Sequence, residues 1–206
     1  MEDHPRLERL GARLHVRDEQ SPVVQRHLND LGTLPGPILD RLRETGTELF
    51  IGDAKVPDLD ELEDLAGKQP RGWPDGSRWD EVPGAYVPGE QVLAAGAGPH
   101  GSSSLVLHEG GHALDAHERL SRHPAMKEAH KEQFQSLRSY YRQGGKQGRV
   151  GREEMWAEGF AVYFQEGPQA AARTFGAGFV AFLENQFDLD SSSPGDPSPS
   201  SDPPSR

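Results

Sequence analysis

Residues 105–115 read LVLHEGGHALD. On a helix His108 and His112 are about 40° apart in rotation, so both imidazoles leave one face a turn apart. That spacing lets two nitrogens reach one zinc ion at about 2 Å. Glu109 sits about 100° around the helix, where its carboxylate can reach a metal-bound water without being a ligand. Such a site divides its labour: the metal acidifies the water and a carboxylate takes its proton. The competing reading is two solvated histidines on an ordinary amphipathic helix. Against it stand the apolar flanks Leu105, Val106, Leu107, Ala113 and Leu114. Gly110 and Gly111 each cost a mid-helix about 1 kcal/mol relative to alanine, which predicts close approach by another backbone or a ligand.

The rest of the chain must supply a third ligand. A metzincin would carry Gly at 115 and His at 118; here these are Asp115 and Glu118, so that class is excluded. The chain has no cysteine, so disulfides and thiolate ligands are excluded too. Further on, EEMWAEGFA offers Glu154 and Glu158, four apart and on one face. One can bind zinc while the other orients a ligand histidine. Their neighbours Met155, Trp156, Ala157, Phe160 and Ala161 predict a largely buried helix. Buried carboxylates without partners are costly, so a single Zn2+ is the better explanation. Glu153 falls about 100° off that face and is expected to be exposed. Asp115 shares the His108–His112 stripe and either accepts a ligand-histidine N–H or pairs with Arg119. His117 and His100 read as surface and loop residues.

Positioning these groups needs a modest domain. The chain has 206 residues, 33% hydrophobic and 27% charged, with formal net charge −11. That charge argues against nucleic acid and anionic lipid as partners; the expected partner is a protein or peptide substrate, and the expected state a monomer. The charged start MEDHPRLERL has no apolar leader core, and no apolar run is long enough for a bilayer. The expectation is a cytoplasmic chain, with secretion open if a leader was removed or export takes another route.

Residues 1–20 read as an N-terminal arm, in which Leu7, Leu10 and Leu14 pack lightly. Residues 21–187 form the domain, and 188–206, rich in Ser, Pro and Asp, form a disordered tail. Within the domain, PGPILDRLRETG reads as a short helix and TELFIG as a buried strand. Residues 69–89, crowded with Gly, Pro and Trp, read as loop. EQVLAAGAG reads as a strand, here taken as the edge that pairs with an extended peptide. The motif helix is expected from Ser104 to Leu120 with a serine N-cap, then a polar helix over 124–142. GGKQGRVG breaks that helix, and a last helix carries REEMWAEGFAVYFQEG.

LHEGGHALD, followed some forty residues later by GRVGREEMWAEGFAVYF, resembles the anthrax-toxin lethal-factor-like metallopeptidases. That group includes the lethal factor catalytic domain and the bacterial Pro-Pro endopeptidases. LPGPILDRLRETGTELFIGDAKVPD and PRGWPDGSRWDEVPG extend the similarity to residues 31–167. The resemblance implies an α+β, zincin-like (gluzincin) fold with a small mixed-sheet N-terminal part and a mainly helical C-terminal part. It implies His108, His112 and Glu154 as zinc ligands, Glu109 as general base and Glu158 as the residue orienting a ligand histidine. Family members carry a tyrosine seven residues before the ligand glutamate, where it stabilises the oxyanion. Here that position is Gln147. Either its amide serves, or Tyr140, Tyr141 or Tyr163 swings in, or the transition state is poorly supported. An aromatic near the cleft helps the resembled enzymes bind proline, and Trp73 and Trp79 are the candidates. Arg149 either binds a substrate carbonyl or is solvated. The expected function is a zinc endopeptidase acting on extended, proline-rich segments. The alternative is a catalytically weak or inactive zinc-binding interaction or effector domain.

Overall fold

In the computed structural model, residues 4–59, 62–69 and 76–189 are described; Trp73 and tail residues 190–206 lie outside them. Among the described residues, four short strands form one mixed sheet: β1 (Leu14–Val16), β2 (Glu48–Ile51), β3 (Gly84–Val87) and β4 (Val92–Ala95), in the order β1-β2-β4-β3. β1, β2 and β4 run parallel, and β3 is antiparallel to β4. Strand alternation sorts the side chains. Leu49, Ile51, Leu93 and Ala95 join the main core, while Phe50, Val92 and Ala94 pack with Val56, Leu59, Leu62 and Leu65 on the other face.

The helices cover the main-core face. α1 (Pro22–Gly32) starts where Ser21 accepts the Val23 N–H and buries Val24, Leu28 and Leu31. α2 (Gly36–Glu44) buries Ile38, Leu39 and Leu42. α3 (Leu105–Glu118) carries the histidine motif, its first turn capped by Ser104. α4 (Pro124–Gln133) is followed by turns, then α5 (Arg149–Glu166), α6 (Pro168–Phe175) and α7 (Ala177–Phe187). Trp156, Phe160, Phe175 and Phe179 are fully buried at the centre of this helical half.

Close contact between α3 and α5 explains half of the double glycine. A Cβ on Gly111 would lie 2.9 Å from Ala157 Cα, whereas one on Gly110 would meet nothing within 4 Å. The Trp156 indole N–H donates to the Gly111 carbonyl at 2.9 Å, locking the crossing.

Several expectations are corrected. β4 is an interior strand, so the open edge beside α3 belongs to β3, which lies in the stretch read as loop. Residues Pro5–Arg13 form a 3-10 segment whose Leu7 and Leu10 are fully buried against the α1–α2 side of the core, so this arm does not pack lightly. α4 ends at Gln133 rather than reaching 142, where Ser136 Oγ turns back to donate to the Gln133 carbonyl at 2.8 Å.

Candidate metal centre

α3 supplies His108 and His112, and α5 supplies Glu154. One ligand atom from each lies within 4.8 Å of the others. The two histidine Nε2 atoms are 3.2 Å apart, and Glu154 Oε2 is 3.5 Å from one and 3.6 Å from the other. Tetrahedral ligands with metal bonds of about 2.0–2.1 Å stand roughly 3.3–3.4 Å apart. The three atoms therefore make one face of such a tetrahedron, and a zinc ion fits them.

Glu158, one turn beyond Glu154, sits behind His108. Its Oε2 is 2.9 Å from His108 Nδ1, and its Oε1 accepts the Ser103 N–H at 2.8 Å. With Nδ1 engaged as donor, Nε2 is left to face Glu154 and His112. Burial pulls the His108 imidazole down, yet Glu154 and Glu158 outweigh it and push its pKa up to about 10. Burial raises Glu154, but His108 and His112 hold it well below the usual carboxylate range. Glu158 is also held low despite burial, by His108 and the Ser103 N–H. Such a donor set takes either a proton or a divalent cation, so the two compete.

The centre opens into a cleft of about 740 Å³. β3 and the turn after it line one side, Glu109 and His112 the floor, and Trp79 and Tyr140 are part of its wall. Glu109 is buried to 8% exposure but reaches this lining. The Tyr140 hydroxyl donates to Glu154 Oε2 at 2.7 Å, while half of the residue stays exposed. Burial and the adjacent Glu154 push that hydroxyl above its ordinary pKa, so it remains a donor.

The other candidates lie elsewhere. Gln147 is exposed in a 3-10 turn and does not line the cleft. Tyr141 is buried against Phe175, its hydroxyl pushed up to about 12 by burial and then by Glu158. Tyr163 donates to Glu184 Oε1 at 3.1 Å. Asp115 neither bonds a histidine nor pairs with Arg119: it accepts the Ser121 N–H at 2.6 Å. Arg149 does line the cleft, paired with Glu153, which lines it too rather than standing free in solvent. His117 and His100 are exposed. Tyr140 was one of three tyrosines that sequence could not rank. In an adjacent Tyr-Tyr pair one ring faces the core and one faces out, and residue types alone do not say which.

A histidine-bearing helix crossed by a glutamate-bearing helix beside a small mixed sheet defines an α+β, zincin-like fold. Comparison with known proteins is more particular. A family model described as anthrax toxin lethal factor, N- and C-terminal domain, matches residues 17–173, and the chain belongs to this family. A Pro-Pro endopeptidase of Paenibacillus alvei is 36% identical over 92 residues; that segment spans 41% of this chain and 41% of the relative. A solved structure of the Pro-Pro endopeptidase from Paenibacillus alvei superposes with a TM-score of 0.67 at 22% identity. The match covers 86% of this chain and 99% of that one, and it shows a shared fold.

Proposed function

We propose that the chain is a zinc-dependent endopeptidase that hydrolyses extended peptides next to proline. The observation carrying this reading is the three-atom cluster of His108, His112 and Glu154, with Glu109 beside it, in a cleft flanked by a sheet edge. His108, His112 and Glu154 would hold the ion. When bound, zinc supplies Lewis acidity, polarising the scissile carbonyl and acidifying the attacking water. Glu109 takes the proton of that water and returns it to the leaving amine. Tyr140, kept protonated and facing the cleft, donates to the carbonyl oxygen as it gains charge. Glu158, held by the Ser103 N–H, keeps His108 in one tautomer and orientation. The open edge of β3 offers backbone groups to an extended peptide, and Trp79 offers an apolar face to a proline ring. The name of the Paenibacillus relative supports the preference for proline.

The inactive-module reading rested on Gln147. Tyr140, reaching the site from fourteen positions before Glu154, supports the active reading instead. The test is a peptide-library digest with zinc-loaded protein, read by mass spectrometry. Proline flanking the cut is expected. A protein with zinc bound that cuts no peptide would overturn the reading in favour of the module.

A further inference from the structure

Asp115 and Arg152 are buried charged residues with no part in the chemistry above. Each is only 7% exposed. Both attach to the same residue: Asp115 Oδ1 accepts the Ser121 N–H at 2.6 Å, and Arg152 Nε donates to the Ser121 carbonyl at 3.2 Å. Ser121 is itself buried, in the 3-10 turn Leu120–Arg122 that follows the left-handed Arg119 at the end of α3. Burying a carboxylate and a guanidinium is costly unless each is hydrogen-bonded. Here both bonds fix the turn whose last residue, Arg122, lines the cleft.

Arg122 stands out electrostatically. The chain carries a net charge of −11. The other cleft arginine, Arg149, is paired with Glu153. Among the described residues no carboxylate pairs with Arg122. An exposed cation carried on a fixed turn and left unpaired in a cleft wall is set to meet an anion from outside, and a peptide's available anion is a carboxylate.

We propose that Arg122 is a specificity-determining residue that binds a carboxylate of the peptide lying in the cleft, past His112 toward the end of α3. This rests on the peptidase reading and names a substrate class within it: peptides with an acidic group on that side of the cut. The group is either an Asp or Glu side chain or the peptide's own terminus.

The test uses matched peptides around one cleaved bond, with Asp or Asn at successive positions and with free or amidated C-termini. Wild type is expected to prefer the acidic peptide about two- to fivefold in kcat/KM, the size of a partly exposed ion pair. The preference shrinks as salt rises. Arg122→Glu is expected to invert it in favour of lysine-bearing peptides while zinc content stays the same. Loss of preference on Asp-to-Asn exchange identifies a side chain, and loss on amidation alone identifies the terminus. An Arg122→Glu protein that keeps the wild-type preference overturns the proposal. Binding of the same peptides to Glu109→Gln, followed by fluorescence anisotropy, separates the two readings. Selective binding that needs Arg122, without cleavage by wild type, upholds Arg122 as a carboxylate-binding residue and refutes the peptidase reading. Binding with no dependence on Arg122 overturns this proposal alone.

Discussion

Glu158→Gln removes one charge from the buried system behind His108 and changes little else in shape. In the native protein one carboxylate oxygen faces His108 Nδ1 at 2.9 Å and the other accepts the Ser103 N–H at 2.8 Å. A glutamine has a single side-chain carbonyl oxygen. If that oxygen keeps the histidine, its NH2 is turned toward the Ser103 N–H, donor against donor. One charge-assisted hydrogen bond is lost and the other becomes neutral. Hydrogen bonds to charged groups contribute about 1.5–3 kcal/mol, which corresponds to roughly 10- to 150-fold in an equilibrium constant. Replacing such orienting partners weakens metal binding by about 10- to 100-fold, and the two ranges overlap. The assay is zinc affinity measured by competition with a chromogenic chelator, with a thermal melt to confirm folding. A Glu158→Gln protein whose affinity stays within twofold of wild type would refute the claim that this carboxylate prepares His108.

Further outcomes follow from the same geometry. In chelator-treated protein, His108 has its pKa raised from 6.5 to about 10, so its stabilisation is complete below about pH 6.5 and is lost as pH rises through 10. Glu154 and Glu158 are depressed from 4.5, so theirs is complete above about pH 4.5 and is lost on further acidification. Melting temperature without metal should therefore be highest between those limits, and a melting curve still rising from pH 7 to 10 would contradict this. At pH 7 zinc should release about one proton from the site, read by calorimetry in buffers of different ionisation enthalpy; heats independent of buffer would count against the competition. Tyr140→Phe should lower kcat about 10²-fold with zinc retained, whereas Gln147→Ala stays near wild type; the opposite ranking would restore the role to position 147. Gly110→Ala should stabilise the fold by about 1 kcal/mol. Gly111→Ala should destabilise it by about 1–2 kcal/mol through collision with the Ala157 backbone, and equal melting temperatures for the two variants would sink that account.

Local patterns made the candidate metal site legible in the sequence. His108, Glu109 and His112 follow helical spacing, and the apolar neighbours of Glu154 and Glu158 mark a buried helix, so both elements and their facing sides were legible. The edge strand β3 was not. It is four residues long, sits among glycines and prolines, and exists through its pairing with β4. Tyr140 was hidden for a different reason: the path from α4 to α5 runs through turns, with Gly144 and Gly145 at positive φ, and no periodicity survives there. Asp115 was misread because its partner depends on the left-handed residue Arg119, which folds Ser121 back over the end of α3. Burial of Leu7 and Leu10 was missed because charged residues surround them, although their spacing places both on one side.

The most direct test of the account is one sample of Glu109→Gln protein, assayed for bound zinc and for cleavage of a peptide that wild type cuts. One zinc ion per chain with cleavage abolished is the predicted result. Cleavage at the wild-type rate would contradict the assignment of Glu109 as the base, and with it the reaction proposed for this cleft.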